Sequence, residues 1–213
     1  MRRKQLEQIV ETTIYMMRHG QVHNPSNVLY GRMPGFLLSD AGAQQAHAAG
    51  KWLADQTVSA IYSSPMERAR QTAEIVASYH SEVDPRVDRR LIEVATPYEG
   101  RPTAELAAMG WDLYTGNRPP HEIPQNVLDR VLDFFKYVRE AHRGESIVAV
   151  GHGDVLVFPW LHSHGYVPEA LMKDNLMKYM LPVDYPATAS IMKFSFDESP
   201  GGAALRATYL CPY

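Results

Sequence analysis

Ile147-Val148-Ala149-Val150-Gly151-His152-Gly153 decides how this chain is read. Four apolar residues in succession, three of them β-branched, fit a strand covered on both faces, as the strands of parallel sheets are. The run stops at glycines and leaves a histidine between them. The same order occurs near the start of the chain, where Thr12-Thr13-Ile14-Tyr15-Met16-Met17 is a short β-leaning run that delivers Arg18-His19-Gly20. Two strands that each end in His-Gly put polar chemistry beyond their carboxyl ends, where the ligands of open α/β sheets collect.

Working outward, helical and strand patterns alternate. Ser39 or Asp40 caps a predicted helix from Ala41 to about Gln56, and Val58 to Tyr62 is a second strand ended by Ser63-Ser64-Pro65. Pro65 suits the first turn of a helix reaching about Tyr79. Leu91-Ile92-Glu93-Val94 is a third strand candidate in a stretch broken by Pro85, Pro97 and Pro102. Residues 96–124 are rich in Pro and Gly and read as a lid more than as a core layer. Val127, Leu128, Val131, Leu132, Phe135 and Val138 recur at helical spacing, so a long amphipathic helix runs from Asn126 to near Gly144. A helix pair interrupted around Pro159 and Gly165 should follow, then a hairpin of Thr188–Phe196 and Ala204–Leu210 around Pro200-Gly201-Gly202. The expected fold is an α/β three-layer sandwich with a mostly parallel central sheet, helices on both faces and a small lid insertion at 96–124, all in one domain over residues 1–213.

Composition narrows the function. Of 213 residues, 45% are hydrophobic and 21% charged, which suits one folded core and excludes a disordered or fibrous chain. Lys and Arg total 21 against 24 Asp and Glu, a net charge of −3 that removes the general electrostatic case for nucleic acid or an anionic membrane. An anionic ligand then needs a local cationic pocket. One cysteine, Cys211, makes neither an internal disulfide nor a thiolate zinc site, and a cytoplasmic setting is expected. Met1-Arg2-Arg3-Lys4 imitates an export signal, but Glu7, Gln8 and Glu11 fall where its apolar stretch belongs. A homo-oligomer is compatible with the sequence and not specified by it.

Arg18 beside His19 pairs a permanent cation with a nucleophile or acid–base group, and that pairing suits a phosphate. His162-Ser163-His164 has no adjoining carboxylate or Cys to complete a ligand set, so no metal is expected, and no P-loop or other cofactor motif occurs. Strand, Gly151-His152-Gly153 and helix also imitate a dinucleotide-binding opening, but Leu156 stands where its third glycine belongs.

Four ordered stretches resemble the histidine phosphatase superfamily, the phosphoglycerate-mutase-like proteins. They are Arg18-His19-Gly20 with Asn24 and Leu38-Ser39-Asp40-Ala41-Gly42; Ser63-Ser64-Pro65-Met66-Glu67-Arg68-Ala69-Arg70; Leu91-Ile92-Glu93 with Tyr98-Glu99-Gly100; and Val150-Gly151-His152-Gly153. The resemblance implies that His19 attacks phosphorus and becomes phosphohistidine. It also implies that Arg18, Arg68 and His152 surround the phosphate oxygens in place of a metal, and that Glu93 is the general acid. Glu99 lies close by and offers the same acid chemistry, while Glu93 has a competing salt-bridge partner in Arg89 or Arg90. Gly20, Gln21, Asn24 and Gly153 complete the expected phosphate-binding set, and Tyr98, Arg101, Trp111, Tyr114, Arg118 and His121 are candidates for reading the alcohol. The implied activity is metal-independent hydrolysis of a small phosphorylated metabolite. Alternatives are a phosphoglycerate-type phosphomutase, which Gln21-Val22 and the stretch between Glu93 and His152 fit less well, and a non-catalytic phospholigand-binding protein.

Overall fold

The computed structural model describes residues 10–199 and 205–213. Strand β1 (Glu11–Arg18) is followed by helix α1 (Asp40–Leu53), β2 (Ala60–Ser63), α2 (Glu67–Ala77), β3 (Pro85–Val87), α3 (Thr103–Ala108), α4 (Pro124–Ala141), β4 (Ser146–Gly151), α5 (Gly153–Ser163), β5 (Ile191–Asp197) and β6 (Arg206–Leu210). The strands form one six-stranded sheet in the order β3-β2-β4-β1-β5-β6. The β3, β2, β4 and β1 strands run parallel, while β5 and β6 add two antiparallel pairings. The turn expected at Pro200-Gly201-Gly202 lies outside the described residues. No described helix is long and apolar enough to cross a membrane.

Alternating side chains of the central strands feed two cores. Ile14, Met16, Tyr62, Ile147 and Ala149 pack with α4 and α5, whereas Tyr15, Met17, Ile61, Val148 and Val150 pack with α1 and α2. A strand covered on both faces has no polar side to show, which is why β1 and β4 read as continuous apolar runs. Ser39 caps α1 through its hydroxyl, which accepts from the Gly42 amide at 3.0 Å.

Two expectations need correction. Leu91–Val94 is not a strand: Arg89–Leu91 is a 3-10 turn, Asp88 accepts from the Arg90 amide, and the third strand is Pro85–Val87. Pro85 is tolerated there because β3 is an edge strand. Pro159 does not interrupt its helix, since α5 runs through it to Ser163. The 96–124 segment is anchored by Leu106, Leu113 and Tyr114, which are buried in the α4–α5 core.

Candidate active site

The sheet register brings the two His-Gly loops together. Arg18 pairs with Gly151 and Ser63 with Val150, so β1, β2 and β4 end side by side. Just beyond, the His19 amide donates to the Gly151 carbonyl at 3.0 Å and the Ser64 amide to the Val150 carbonyl at 2.8 Å. His19 and His152 are thereby brought edge to face, with ring centroids 5.2 Å apart. Arg68 enters from the first turn of α2, and Glu93 from the extended chain after the 3-10 turn.

These groups are buried, and their hydrogen bonds fix their roles. His19 is 1% exposed, and its Nδ1–H donates to the Gly20 carbonyl at 2.7 Å. A carbonyl only accepts, so the proton sits on Nδ1 and Nε2 keeps its lone pair. Burial, then Arg68 and Arg18, hold His19 well below the usual histidine pKa, so the ring is neutral. His152 is depressed in the same way, chiefly by burial and then by Arg68; its Nε2 lies 2.7 Å from the Ser64 hydroxyl. Arg68 donates to the Gly31 carbonyl at 2.7 Å, lies 3.3 Å from His152 Nδ1 and 3.6 Å from Glu93, and stacks 4.6 Å from the Tyr30 ring centroid. Glu93 Oε2 is 3.3 Å from His152 Nδ1, and Glu93 Oε1 accepts from the Val94 amide at 2.9 Å. Burial raises the Glu93 carboxyl above the ordinary value despite Arg68. With both histidines neutral, the positive charge of the site rests on Arg18 and Arg68, the kind of charge a phosphate monoester dianion requires.

His19, Glu93 and His152 offer ligand atoms within 4.8 Å of one another, the geometry of a metal trio. The donor set does not suit a divalent cation, because the Arg68 guanidinium already lies against Glu93 and His152.

Of the expected set, Arg18, His19, Asn24, Glu93 and Gly153 line one cleft of about 610 Å³, and Arg68 and His152 lie at its buried end against Glu93. Gly20 and Gln21 do not line it. A side chain at Gly20 would overlap the Gly42 carbonyl, so this glycine permits α1 to pack on the loop and needs no unusual φ. Gln21 is exposed, and its amide donates to Gln45. Gly153 makes room for the Tyr185 hydroxyl. Glu99 is held away from His19 by accepting from the Arg32 amide at 2.6 Å. Arg90 pairs with Asp88 and Asp133, not with Glu93. Among the alcohol-reading candidates, Trp111 lines the cleft, Tyr114 is buried against Asp154, Arg101 pairs with Glu105, and Tyr98, Arg118 and His121 do not line it.

Sequence reasoning missed Ser64, Tyr30, Arg32, Glu122, Asp154, Lys173 and Tyr185. Ser64 stood in a quoted motif, next to the turn that ends β2. The others act through contacts distant in sequence, such as Tyr30 on Arg68 and Arg32 donating to the Glu93 carbonyl at 2.7 Å.

A family model described as histidine phosphatase superfamily (branch 1) matches residues 14–179. The chain belongs to the histidine phosphatase superfamily. Within it, the chain is 47% identical over 91 residues to uncharacterized protein Rv0525 of Mycobacterium tuberculosis, covering 43% of this chain and 45% of that one. It is 32% identical over 150 residues to the Danio rerio protein named probable fructose-2,6-bisphosphatase TIGAR A, covering 64% of this chain and 57% of the relative. The chain thus spans about half the length of these two relatives. The solved structure of Bacillus stearothermophilus YhfR superposes with a TM-score of 0.74 at 25% identity, over 93% of this chain and 96% of that one. The chain therefore has the fold of this superfamily over nearly its whole length.

Proposed function

We propose that the protein is a metal-independent phosphatase that hydrolyses a small phosphorylated metabolite through phosphohistidine at His19. The observation that carries this reading is the His19 ring: its Nδ1 proton is committed to the Gly20 carbonyl, and Nε2 is unprotonated in a cleft shared with Arg18 and Glu93. The Nε2 lone pair attacks phosphorus as the phosphorus–oxygen ester bond breaks, and the departing oxygen takes the proton of Glu93. Arg18, Arg68 and His152 hold the equatorial oxygens while charge shifts among them. Water then attacks the phosphohistidine as Glu93 carboxylate takes its proton. The phosphorus–nitrogen bond breaks, its electrons return to Nε2, and phosphate leaves. The name of the Danio rerio relative, a bisphosphatase, is in keeping with hydrolysis.

The test follows covalent label and free phosphate together. Protein and a His19→Ala variant are incubated in EDTA with phosphate-labelled monoesters and quenched in alkali, where phosphohistidine survives. Label on the unaltered protein alone, with phosphate released, is expected. Turnover retained by His19→Ala would overturn the mechanism, and label passed to a second alcohol in place of water would make the protein a mutase.

A further inference from the structure

The cleft is larger than a phosphoryl group needs, and the rest of its lining is specific in character. At about 610 Å³ it falls in the range of about 300–1,000 Å³ that takes a whole small-molecule ligand. Beside the phosphate set it presents Val28, Leu29, Val94, Trp111 and Leu113, with the hydroxyls of Thr96 and Thr103. Among the described residues lining it, Lys173 is the one cation outside that set.

Lys173 is not free to take a second anion. Its side chain is 6% exposed, with Nζ 3.5 Å from Asp154 Oδ2 and 5.1 Å from the Tyr114 ring centroid. Asp154, buried, accepts from the Tyr114 and Tyr185 hydroxyls at 2.5 and 2.6 Å. A lysine set against an aspartate is neutral as a pair, and the exposed Asp184 adds a further negative charge to the lining. Outside the phosphate set, the lining therefore carries one net negative charge on a largely apolar wall. A site rejects a ligand most sharply when it places an unmatched or like charge where the wrong ligand has its own.

We infer that the alcohol esterified in the substrate is uncharged and largely apolar, and that esters carrying a second anionic group, such as another phosphate or a carboxylate, are rejected. This rests on the phosphatase reading above and names the substrate class of the same site. Trp111 and Leu113 cover the apolar body, while Thr96 and Thr103 offer hydrogen bonds to its oxygens.

Phenyl phosphate and 4-carboxyphenyl phosphate test it, since they share a ring and differ by one carboxylate, with 1-naphthyl phosphate as the larger neutral ester. The kcat/KM for phenyl phosphate should exceed that for 4-carboxyphenyl phosphate by about tenfold or more, within the range of roughly 10–200-fold that a pocket commonly achieves. The naphthyl ester should do at least as well as the phenyl one. Asp184→Asn should raise kcat/KM for 4-carboxyphenyl phosphate several-fold more than for phenyl phosphate and so narrow the ratio. Trp111→Ala, at a partly exposed position, should lower the naphthyl rate more than the phenyl rate. Equal or better use of the carboxylated ester would overturn the inference. If neither is turned over, calorimetric binding of the same two esters to the unaltered protein decides the matter. Tighter binding of the neutral ester then supports the substrate class and sinks only the catalytic reading, whereas equal or tighter binding of the charged ester overturns the class itself.

Discussion

Glu93 is pulled in opposite directions by its neighbours. Burial favours its neutral form, while Arg68 and the Val94 amide favour the carboxylate, and the balance leaves the pKa raised. An acid that must hold its proton until the ester bond breaks gains from that balance. His19 is shifted the other way, so it remains an unprotonated nucleophile further into acid than an ordinary histidine. The sign of each limb follows. As pH rises through the raised carboxyl pKa the proton is lost and bond breaking slows; as pH falls through the lowered imidazole pKa, Nε2 is protonated and attack stops. The kcat/KM profile for an alkyl phosphate should be bell-shaped. Glu93→Gln should remove the alkaline limb and lower kcat/KM, which reports formation of the phosphoenzyme and not its hydrolysis, by about 10²–10³, within the usual contribution of a general acid. The loss should be far smaller for 4-nitrophenyl phosphate, whose phenolate leaves without a proton. An equal loss on both esters would mean that Glu93 holds the site together and does not donate. The choice between Glu93 and Glu99 was not legible in the sequence, because both follow the same proline-broken stretch. Arg32 sets the two apart, its amide donating to the Glu99 carboxylate and its side chain to the Glu93 carbonyl, in keeping with Glu93 as the proposed acid.

At the scale of elements, the chain bearing Glu93, the proposed acid, is held by a clamp between the 96–124 segment and two neighbours. Glu122 Oε2 accepts from Arg32 at 2.9 Å and from the Ala95 amide at 2.8 Å, and Oε1 accepts from Arg130 of α4 at 2.8 Å. Arg130 also donates to the Arg90 carbonyl at 2.6 Å, so α4, the 3-10 turn and the chain bearing Glu93 are tied together. Glu122 touches no reacting atom and is a positioning residue. Glu122→Gln should cost about 1–3 kcal/mol of stability, the range for a lost charged hydrogen bond. It should also lower kcat about tenfold with KM nearly unchanged, and displace the alkaline limb set by Glu93. Lost stability with an unmoved pH profile would make the clamp merely structural. Elements with strong periodicity were legible: β1, β4 and α4 all lie where their apolar patterns put them, with Val127, Val131, Phe135 and Val138 buried. The short edge strand β3 was not, since Pro85-Arg86-Val87 has neither alternation nor an apolar run, and its pairing with β2 is set by neighbours far away in the chain. Nor does local pattern announce Glu122, whose three partners come from residues 32, 95 and 130.

Across the whole molecule, the sheet divides two cores, and the phosphate-facing groups come from both sides of that division. Arg18 ends β1, Arg68 belongs to α2 over one face, and His152 precedes α5 over the other, with Glu93 arriving from the chain between. Motif order announced these residues, but sequence alone does not show that they meet at one point, since that depends on β4 inserting between β2 and β1. The arrangement has a thermodynamic consequence. Two arginine charges close to two neutral imidazoles repel each other, and an anion that binds only the folded chain relieves that repulsion while tying together segments spread over residues 18–152. Inorganic phosphate at about 100 times its dissociation constant should add about 2.7 kcal/mol of stability. For a chain of this size that corresponds to a rise of roughly 5–10 °C in Tm. Arg68→Ala should lose most of the rise, because the guanidinium that bridges α2 to His152 and Glu93 is gone. His19→Ala should keep much of it, since the nucleophile contributes no charge. Scanning calorimetry with phosphate against sulfate and chloride at matched ionic strength separates this binding from general salt effects. A Tm that rises equally with all three anions, or equally in Arg68→Ala, would mean that the four segments do not form one anion site.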